Sequence, residues 1–206
     1  MSPKVSKEHL KQRRAKILEA AREVFIEHGY ERATMKHVME ATGISRGGLY
    51  QYFSNKEDLY EALLEESLSS EYENIQSVLN KNGGSYWKLL LKSIFGEDME
   101  PNDEMDPMAP SNLEFFITGR QDERRRKYGQ ERYHLGIKVY QDVIKAGQGH
   151  GEFSSKFSSD ILARSIVAFI DGLALEYAIL PKEEVKLIDQ SNMFIEYLRM
   201  ALGVKS

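Results

Sequence analysis

Residues 34–56 read TMKHVMEATGISRGGLYQYFSNK, and the rest of the chain is organised around this stretch. Thr34 is suited to cap a first helix of about two turns, because its hydroxyl can accept a hydrogen bond from a free backbone N–H. Gly43 follows as the turn, since glycine adopts positive φ without steric cost. Ser45 can cap a second short helix that ends near Phe53. The pattern predicts a helix-turn-helix, whose second helix enters the DNA major groove.

The second helix has two chemically different sides. Leu49 and Phe53 are four residues apart, so they share the side that packs on the first helix. The opposite side carries basic, aromatic and amide groups, a mixture that suits phosphates and base edges. Gly47 and Gly48 each cost roughly 1 kcal/mol relative to alanine in a helix. A backbone that approaches DNA closely explains that cost, and a connector helix that tolerates glycine is the alternative.

The run at 43–59, GISRGGLYQYFSNKEDL, resembles the DNA-binding signature of the tetracycline-repressor (TetR) family. The resemblance covers residues 15–64 in detail and the whole chain in length and helix pattern. Met39 is a departure, because many such sequences carry alanine four residues before the turn glycine. The resemblance implies an all-α homodimer of about nine helices per chain. It places a helix-turn-helix domain at 1–54 and a ligand-binding and dimerisation domain at 55–206.

Residue roles follow from the pattern and the resemblance together. Ser54 and Glu57 match a capping box, so the next helix is expected to begin near Asn55 and continue to about residue 80. A phosphate at its first turn would meet free N–H groups and the Lys56 ammonium together, the role that this position has in the family. Arg46 is the best candidate to bind a guanine, because its guanidinium forms two hydrogen bonds. The predicted DNA-binding residues are Thr34, Ser45, Arg46, Gly47, Gly48, Tyr50, Gln51, Tyr52 and Lys56.

The charge of the chain is unevenly distributed. Residues 1–56 contain eleven Lys or Arg and six Glu, whereas the remaining 150 contain seventeen Lys or Arg and twenty-six acidic residues. A basic end on an acidic body suggests that one end meets a polyanion, although a lopsided solvated surface would look the same. The basic residues near the start of the first helix could likewise touch phosphates or form a solvated face. They are Lys11, Arg13, Arg14 and Lys16.

Composition limits the other classes of protein. The chain has no cysteine, which excludes disulfides and thiolate metal sites. The charged N-terminus lacks the apolar segment of a secretory signal, and no apolar run approaches the length of a membrane span. We expect a cytoplasmic protein with no membrane association, no metal and no cofactor. Catalysis is disfavoured, because there is no Gly-rich phosphate loop and no HExxH pair, and the five histidines are scattered.

The body reads as helices separated by short breaks. The acidic loop at 96–110 could hold a hard cation, but a solvated loop that gates what lies beneath fits its irregular spacing better. The basic run at 122–127 has acidic neighbours, which favours a salt-bridged face over a second nucleic-acid site. The predicted helices of the body are 86–95, 112–127, 130–146, 158–180 and 181–202.

The helix predicted at 158–180 is apolar around most of its circumference, more than one intrachain face requires. A homodimer would bury the excess, and a central helix wrapped by its own chain is the alternative. The resemblance favours the dimer, since the last two long helices of family members form a four-helix interface. The predicted interface residues are Ile166, Ile170, Leu173, Tyr177, Phe194 and Leu198.

The resemblance implies a sequence-specific transcriptional regulator, most often a repressor, bound to a near-palindromic operator in double-stranded DNA. It also implies release by a small apolar or aromatic effector bound in the body. An architectural or cell-cycle DNA-binding protein without an effector is the alternative. Aromatic residues could line the effector cavity, although each one is more typical of ordinary core. They are Trp87, Phe115, Phe116, Tyr133, Tyr140 and Phe169.

Overall fold

The computed structural model describes residues 7–80 and 84–205, and all regular secondary structure in those ranges is helical. The predicted all-α class is confirmed. The sequence also predicts a loose segment at 1–8 and a break at 82–85, of which residues 1–6 and 82–83 lie outside the described residues. The helices are α1 (Lys7–Arg32), α2 (Met35–Thr42), α3 (Arg46–Tyr50), α4 (Lys56–Asn80), α5 (Tyr86–Phe95), α6 (Ala109–Thr118), a 3-10 helix (Gly119–Gln121), α7 (Glu123–Gly149), α8 (Ser159–Ile179), the single turn α9 (Lys182–Val185) and α10 (Leu187–Leu202).

The helix-turn-helix forms where the local signals place it. The Thr34 hydroxyl accepts a hydrogen bond from the N–H of His37 at 3.2 Å, and Gly43 ends α2 with a φ of 66°. The Ser45 hydroxyl accepts from the N–H of Gly48 at 3.3 Å. These three caps confirm the prediction. α3 is three residues shorter than predicted, because the backbone N–H groups at 52 and 53 both bond to the carbonyl of Leu49 and turn the chain.

The start of α4 has a different cap from the predicted one. The capping box of Ser54 and Glu57 is wrong, because Asn55 Oδ1 accepts the hydrogen bond from the N–H of Asp58 at 2.7 Å. Glu57 accepts instead from the Tyr30 hydroxyl at 3.0 Å. Asparagine is as good an N-cap as serine, so the helix still begins within a residue of the expected position.

The body departs from the predicted helices at two points. The predicted helix at 112–127 is divided by the 3-10 segment, because the carboxylate of Asp122 accepts from the N–H of Arg125 at 2.8 Å and starts α7. α7 then continues without a break across the gap predicted at 128–129, and it ends three residues beyond the predicted end at 146. The predicted last helix is also divided, at Lys186, which has a φ of 48°. The helices predicted at 86–95 and 158–180 are confirmed to within one residue.

The two ends of the molecule share a hydrophobic core. One cluster of buried side chains joins α1–α4, and it includes Phe115 of α6. The rings of Tyr30, Tyr60 and Phe115 lie within 4.9 Å of one another, two of the three pairs edge to face; we call these three residues the shared aromatic cluster. The guanidinium of Arg125 lies 4.7 Å from the Tyr30 ring centroid, against the same cluster. The division at residues 54 and 55 stays a prediction.

A second cluster fills the body between α4, α5, α7, α8 and α10. Four of the residues predicted at a dimer interface lie inside the chain. Ile166 and Leu198 are 0% exposed, and Leu173 and Phe194 are 6% exposed. The prediction is wrong for these four, because the most apolar stripe of each helix faces the core of its own chain. Ile170 and Tyr177 are half-buried.

The outer faces of α8 and α10 are also apolar. They carry exposed side chains at helical spacing, which we call the outer apolar face: Ile161, Ala168, Gly172, Leu175 and Ile179 on α8, and Met193, Tyr197 and Met200 on α10. No helix in the described ranges is long and apolar enough to cross a membrane.

Candidate nucleic-acid interface and internal cavity

The two sides of α3 differ as the sequence predicts. Leu49 is 0% exposed and Phe53, just beyond the helix, is 4% exposed, so both belong to the core. Arg46 and Tyr50 are exposed on the other side, and the guanidinium lies 5.5 Å from the tyrosine ring centroid. Gln51 is exposed next to them. A cation stacked on an aromatic ring is held in place at little entropic cost, which suits it to reach a base edge.

The two glycines of α3 have different surroundings. A Cβ atom on Gly47 would have nothing within 4 Å, so this position faces open space. A Cβ atom on Gly48 would lie 2.8 Å from Cγ2 of Ile44 and 3.3 Å from Oγ of Ser45. The turn therefore requires glycine at position 48 for an intrachain reason that the sequence did not show. Close approach of DNA to the backbone at Gly47 stays a prediction.

A groove of about 450 Å³ lies between α1 and the turn that precedes α3. Arg13 and Lys16 line this groove, and a guanidinium nitrogen of Arg13 lies 3.8 Å from the Cβ position of Gly48. Arg14 lies instead over the ring of Phe53, 5.4 Å from its centroid, where it covers the core. Of the four basic residues predicted near the start of α1, two therefore line this groove, Arg14 packs on the core, and Lys11 is exposed outside the groove lining. Sequence spacing alone did not separate them.

Three further residues of the helix-turn-helix were predicted to bind phosphates: Thr34, Ser45 and Tyr52. The Thr34 and Ser45 side chains are exposed, and each uses its oxygen as a hydrogen-bond acceptor for a cap. Their hydroxyl protons can therefore still be donated to a phosphate. Tyr52 is half-buried against the core of the helix-turn-helix. The phosphate contacts themselves stay predictions.

Lys56 has a structural role that the sequence did not reveal. Its ammonium donates to the backbone carbonyls of Tyr30 at 2.7 Å and Glu31 at 3.2 Å, and it lies 4.3 Å from the Tyr30 ring centroid. These bonds satisfy carbonyls at the end of α1, which breaks at Gly29 with a φ of 71°. Burial lowers the pKa of Lys56 below its ordinary value, against the effect of the nearby Glu31. The ammonium is thus committed to α1 in this conformation.

A cavity of about 290 Å³, partly open to solvent, lies between α5, the acidic loop, α7, α8 and α10, and we call it the internal cavity. Tyr140 and Phe169 line it, as predicted for an effector cavity. The Phe169 ring is stacked on Phe194, with the ring centroids 3.9 Å apart. The half-buried Ile170 and the buried Ser191 also line the cavity.

The other four aromatic residues predicted for the cavity lie elsewhere. Phe115 is 0% exposed in the shared aromatic cluster, and Phe116 packs against that cluster. Trp87 lies near Arg199, 5.6 Å from its guanidinium. Tyr133 is 46% exposed and donates to Asp171 at 3.2 Å. The structure therefore brings only two of the six aromatic residues together at this cavity, because three-dimensional packing assigns the other four to separate places.

The resemblance can now be compared with known proteins. A family model described as "Bacterial regulatory proteins, tetR family" matches residues 17–63, and one described as "Tetracyclin repressor-like, C-terminal domain" matches residues 94–188. An uncharacterised helix-turn-helix transcriptional regulator of Bacillus subtilis, YfiR, is 31% identical over 98% of each chain. This chain belongs to the TetR family of transcriptional regulators. TetR proteins are DNA-binding regulators and not enzymes, so both predictions are confirmed.

Solved structures show that the TetR fold extends over most of the chain. A TetR transcription regulator from Haloarcula marismortui has a TM-score of 0.74 at 21% identity, covering 93% of this chain and 99% of its own. The transcriptional regulator FadR from Bacillus subtilis, in complex with stearoyl-CoA, has a TM-score of 0.64 at 20% identity, with coverage of 93% and 99%.

Proposed function

We propose that this TetR protein is a homodimeric repressor that leaves its operator when a small molecule fills the internal cavity. The observation that carries the proposal is the outer apolar face of α8 and α10. Arg164 is the one charged residue on the exposed stripe of α8, and it pairs with Asp160 at 2.9 Å. Small residues at 168 and 172 allow a second helix to approach closely. An exposed apolar face of this kind, interrupted on α10 by the exposed Glu196, is typical of an interface.

The dimer explains how one short helix can be specific. Each α3 contributes few base contacts, so two copies are needed, spaced about 34–36 Å apart in successive major grooves of a near-palindromic site. We assign base contacts to Arg46, Tyr50 and Gln51, and backbone contact to Gly47. Thr34, Ser45, Arg13 and Lys16 would bind phosphates and set the register. Since its ammonium holds α1, Lys56 would reach DNA through its N–H at the start of α4.

The internal cavity supports release by a small molecule. Its volume of about 290 Å³ is at the lower end of the range for ligand sites, roughly 300–1,000 Å³. The acyl-CoA of FadR is not carried over, because carboxylates at the mouth of this cavity would repel its phosphates. An effector can release DNA only by binding one spacing of the two α3 helices more tightly than the other, typically with a coupling of about 1–3 kcal/mol.

Dimerisation is tested with a charge placed on the outer apolar face. Leu175→Glu should produce monomers in light-scattering chromatography and abolish operator binding, because a buried unpaired carboxylate opposes association. Lys145→Glu is the matched control, an exposed position on α7 outside that face. A dimeric Leu175→Glu protein would show that the interface lies elsewhere.

Operator recognition is tested by selecting bound fragments of genomic DNA and repeating the binding with variants. Arg46→Ala should cost about 1–3 kcal/mol of binding free energy and relax specificity at one base pair. Lys145→Ala, which removes one positive charge far from α3, should leave affinity unchanged. Equal binding by Arg46→Ala would refute the proposed docking of α3.

A thermal-shift screen in which no small molecule stabilises the protein would refute the effector-released mechanism.

A further inference from the structure

Asp106 belongs to two sites at once. It lines the internal cavity, and its Oδ1 also accepts hydrogen bonds from the guanidinium of Arg22 at 2.8 Å and from the N–H of Met108 at 3.0 Å. Arg22 is on α1, which packs directly against α2 of the helix-turn-helix. The two side chains are 43% and 52% exposed. The acidic loop is therefore a physical link between the cavity and the DNA-binding end.

The mouth of the cavity is negatively charged. Glu100, Glu104 and Asp106 line it, and no Lys or Arg is among its lining residues. Lys182, a cation outside the lining, pairs with Asp103 at 3.1 Å, and its pKa is raised chiefly by that carboxylate and, to a smaller extent, by Glu104. Three carboxylates that converge on a concave opening attract cations and repel anions.

The interior has a polar group without a partner. Ser191 is 3% exposed and lines the cavity, and its hydroxyl makes no hydrogen bond to the part of the chain that the structure describes. A hydroxyl on the wall of a cavity can donate to, or accept from, a polar atom of a ligand. The ring of Phe169 provides an aromatic surface in the same space, and aromatic rings attract cations that approach their faces.

We propose that the effector is a small cationic aromatic molecule, with a protonated or quaternary nitrogen beside its ring. This inference rests on the proposed function, namely release by a ligand. The ring lies against Phe169, and the nitrogen lies among Glu100, Glu104 and Asp106. The ligand cation then replaces Arg22 as the partner of Asp106. An exposed ion pair is weak, so a ligand can replace it, and the loop is released from α1 when it does.

The charge requirement is tested by calorimetric titration of the full-length protein with three probes of similar size. These are benzyltrimethylammonium, its uncharged carbon isostere neopentylbenzene, and the anion phenylacetate. The cation should bind at least about tenfold more tightly than the isostere, and the anion should not bind. Glu100→Gln with Glu104→Gln should remove most of that preference. Glu97→Gln is the control, since Glu97 pairs with Lys92 outside this cavity. Equal binding of cation and isostere, or an unchanged preference in the double variant, would overturn the proposal.

The link to α1 is tested by operator binding without any probe. Arg22→Gln removes the partner of Asp106 and should weaken operator binding about fivefold, the lower limit of typical coupling. Arg22→Lys keeps the charge and should restore most of the affinity. Benzyltrimethylammonium should weaken binding by the wild type but add little in Arg22→Gln. Full cation sensitivity in that variant would contradict the exchange at Asp106.

Different results would overturn the cationic effector and the effector-released mechanism. A neutral or anionic compound that releases the operator, while the cation is inactive, overturns the cationic effector and leaves the effector-released regulator standing. If no compound of any charge alters operator binding or thermal unfolding, the effector-released mechanism fails with it.

Discussion

Replacing each glycine of α3 by alanine separates two reasons for the same residue type. Gly47 and Gly48 are adjacent, and neither has a positive φ. A Cβ atom at Gly47 enters open space, whereas one at Gly48 lies 2.8 Å from Cγ2 of Ile44, closer than real Cβ contacts come. Gly47→Ala is therefore the matched control for Gly48→Ala.

The two variants should change stability in opposite directions. Alanine gains about 0.5–1 kcal/mol over glycine in a helix, and Gly47→Ala should keep most of that gain. At Gly48 the same gain is opposed by an overpacking cost of about 1–3 kcal/mol. The difference in unfolding free energy should thus be about 2 kcal/mol. For a chain of this size it corresponds to roughly 4–8 °C in Tm.

Thermal unfolding by calorimetry measures this difference, and fluorescence anisotropy with a selected operator measures DNA binding. Gly47→Ala should bind DNA more weakly than the wild type although it is more stable, because the added methyl group stands where the backbone is expected to meet DNA. A loss of binding with a gain in stability cannot come from unfolding.

A second substitution tests the cause at Gly48. Ile44→Leu removes the Cγ2 methyl group, so the pair Gly48→Ala with Ile44→Leu should regain most of the lost stability, relative to Ile44→Leu alone. Two results would refute the reasoning: a Gly48→Ala protein as stable as Gly47→Ala, or a loss that persists without the methyl group.

Three further predictions concern the body. Gly147→Ala would place Cβ 2.3 Å from the Phe153 ring, so it should destabilise by at least about 1–3 kcal/mol in urea unfolding, whereas a gain would contradict the contact. Asp122→Ala removes the N-cap of α7 and should cost about 1 kcal/mol, most of it restored by Asp122→Ser. The hydrogen bond from Arg124 lowers the pKa of Asp58. This interaction stabilises the folded protein above about pH 4, where the carboxylate is ionised, and the stabilisation is lost as pH falls through the lowered pKa of Asp58. The difference in unfolding free energy between wild type and Arg124→Gln should therefore narrow below pH 4.

The parts of the fold that depend on local hydrogen bonds were predictable. Thr34 and Ser45 determine where the two helices of the helix-turn-helix begin, through hydrogen bonds that span only a few residues, and Gly43 determines where the first one ends. The start of α4 was also located, although Asn55 supplies the cap in place of Ser54. Several neighbouring residues can cap the same helix start equally well. The sequence therefore determines where the helix begins better than it determines which residue caps it.

The parts that depend on distant contacts were not predictable. The Lys56 ammonium bonds to α1, and Gly48 is constrained by Ile44 in the folded turn. An apolar stripe such as that of Ile166 does not show whether its partner is the same chain or a second copy. Phe115 is indistinguishable in sequence from a cavity residue. Each case required knowing which helices pack together.

The shared aromatic cluster has a consequence for how DNA specificity can change. Phe115 of α6 completes this cluster, whose other two members are Tyr30 of α1 and Tyr60 of α4. A chimera that joined residues 1–54 to an unrelated body would leave Tyr30 facing a foreign α6 surface. The DNA-binding segment therefore cannot be exchanged as an independent unit. New operators are more accessible to this protein by substitution at exposed positions such as Arg46 in α3 and Gln51 at its end than by exchange of the whole segment.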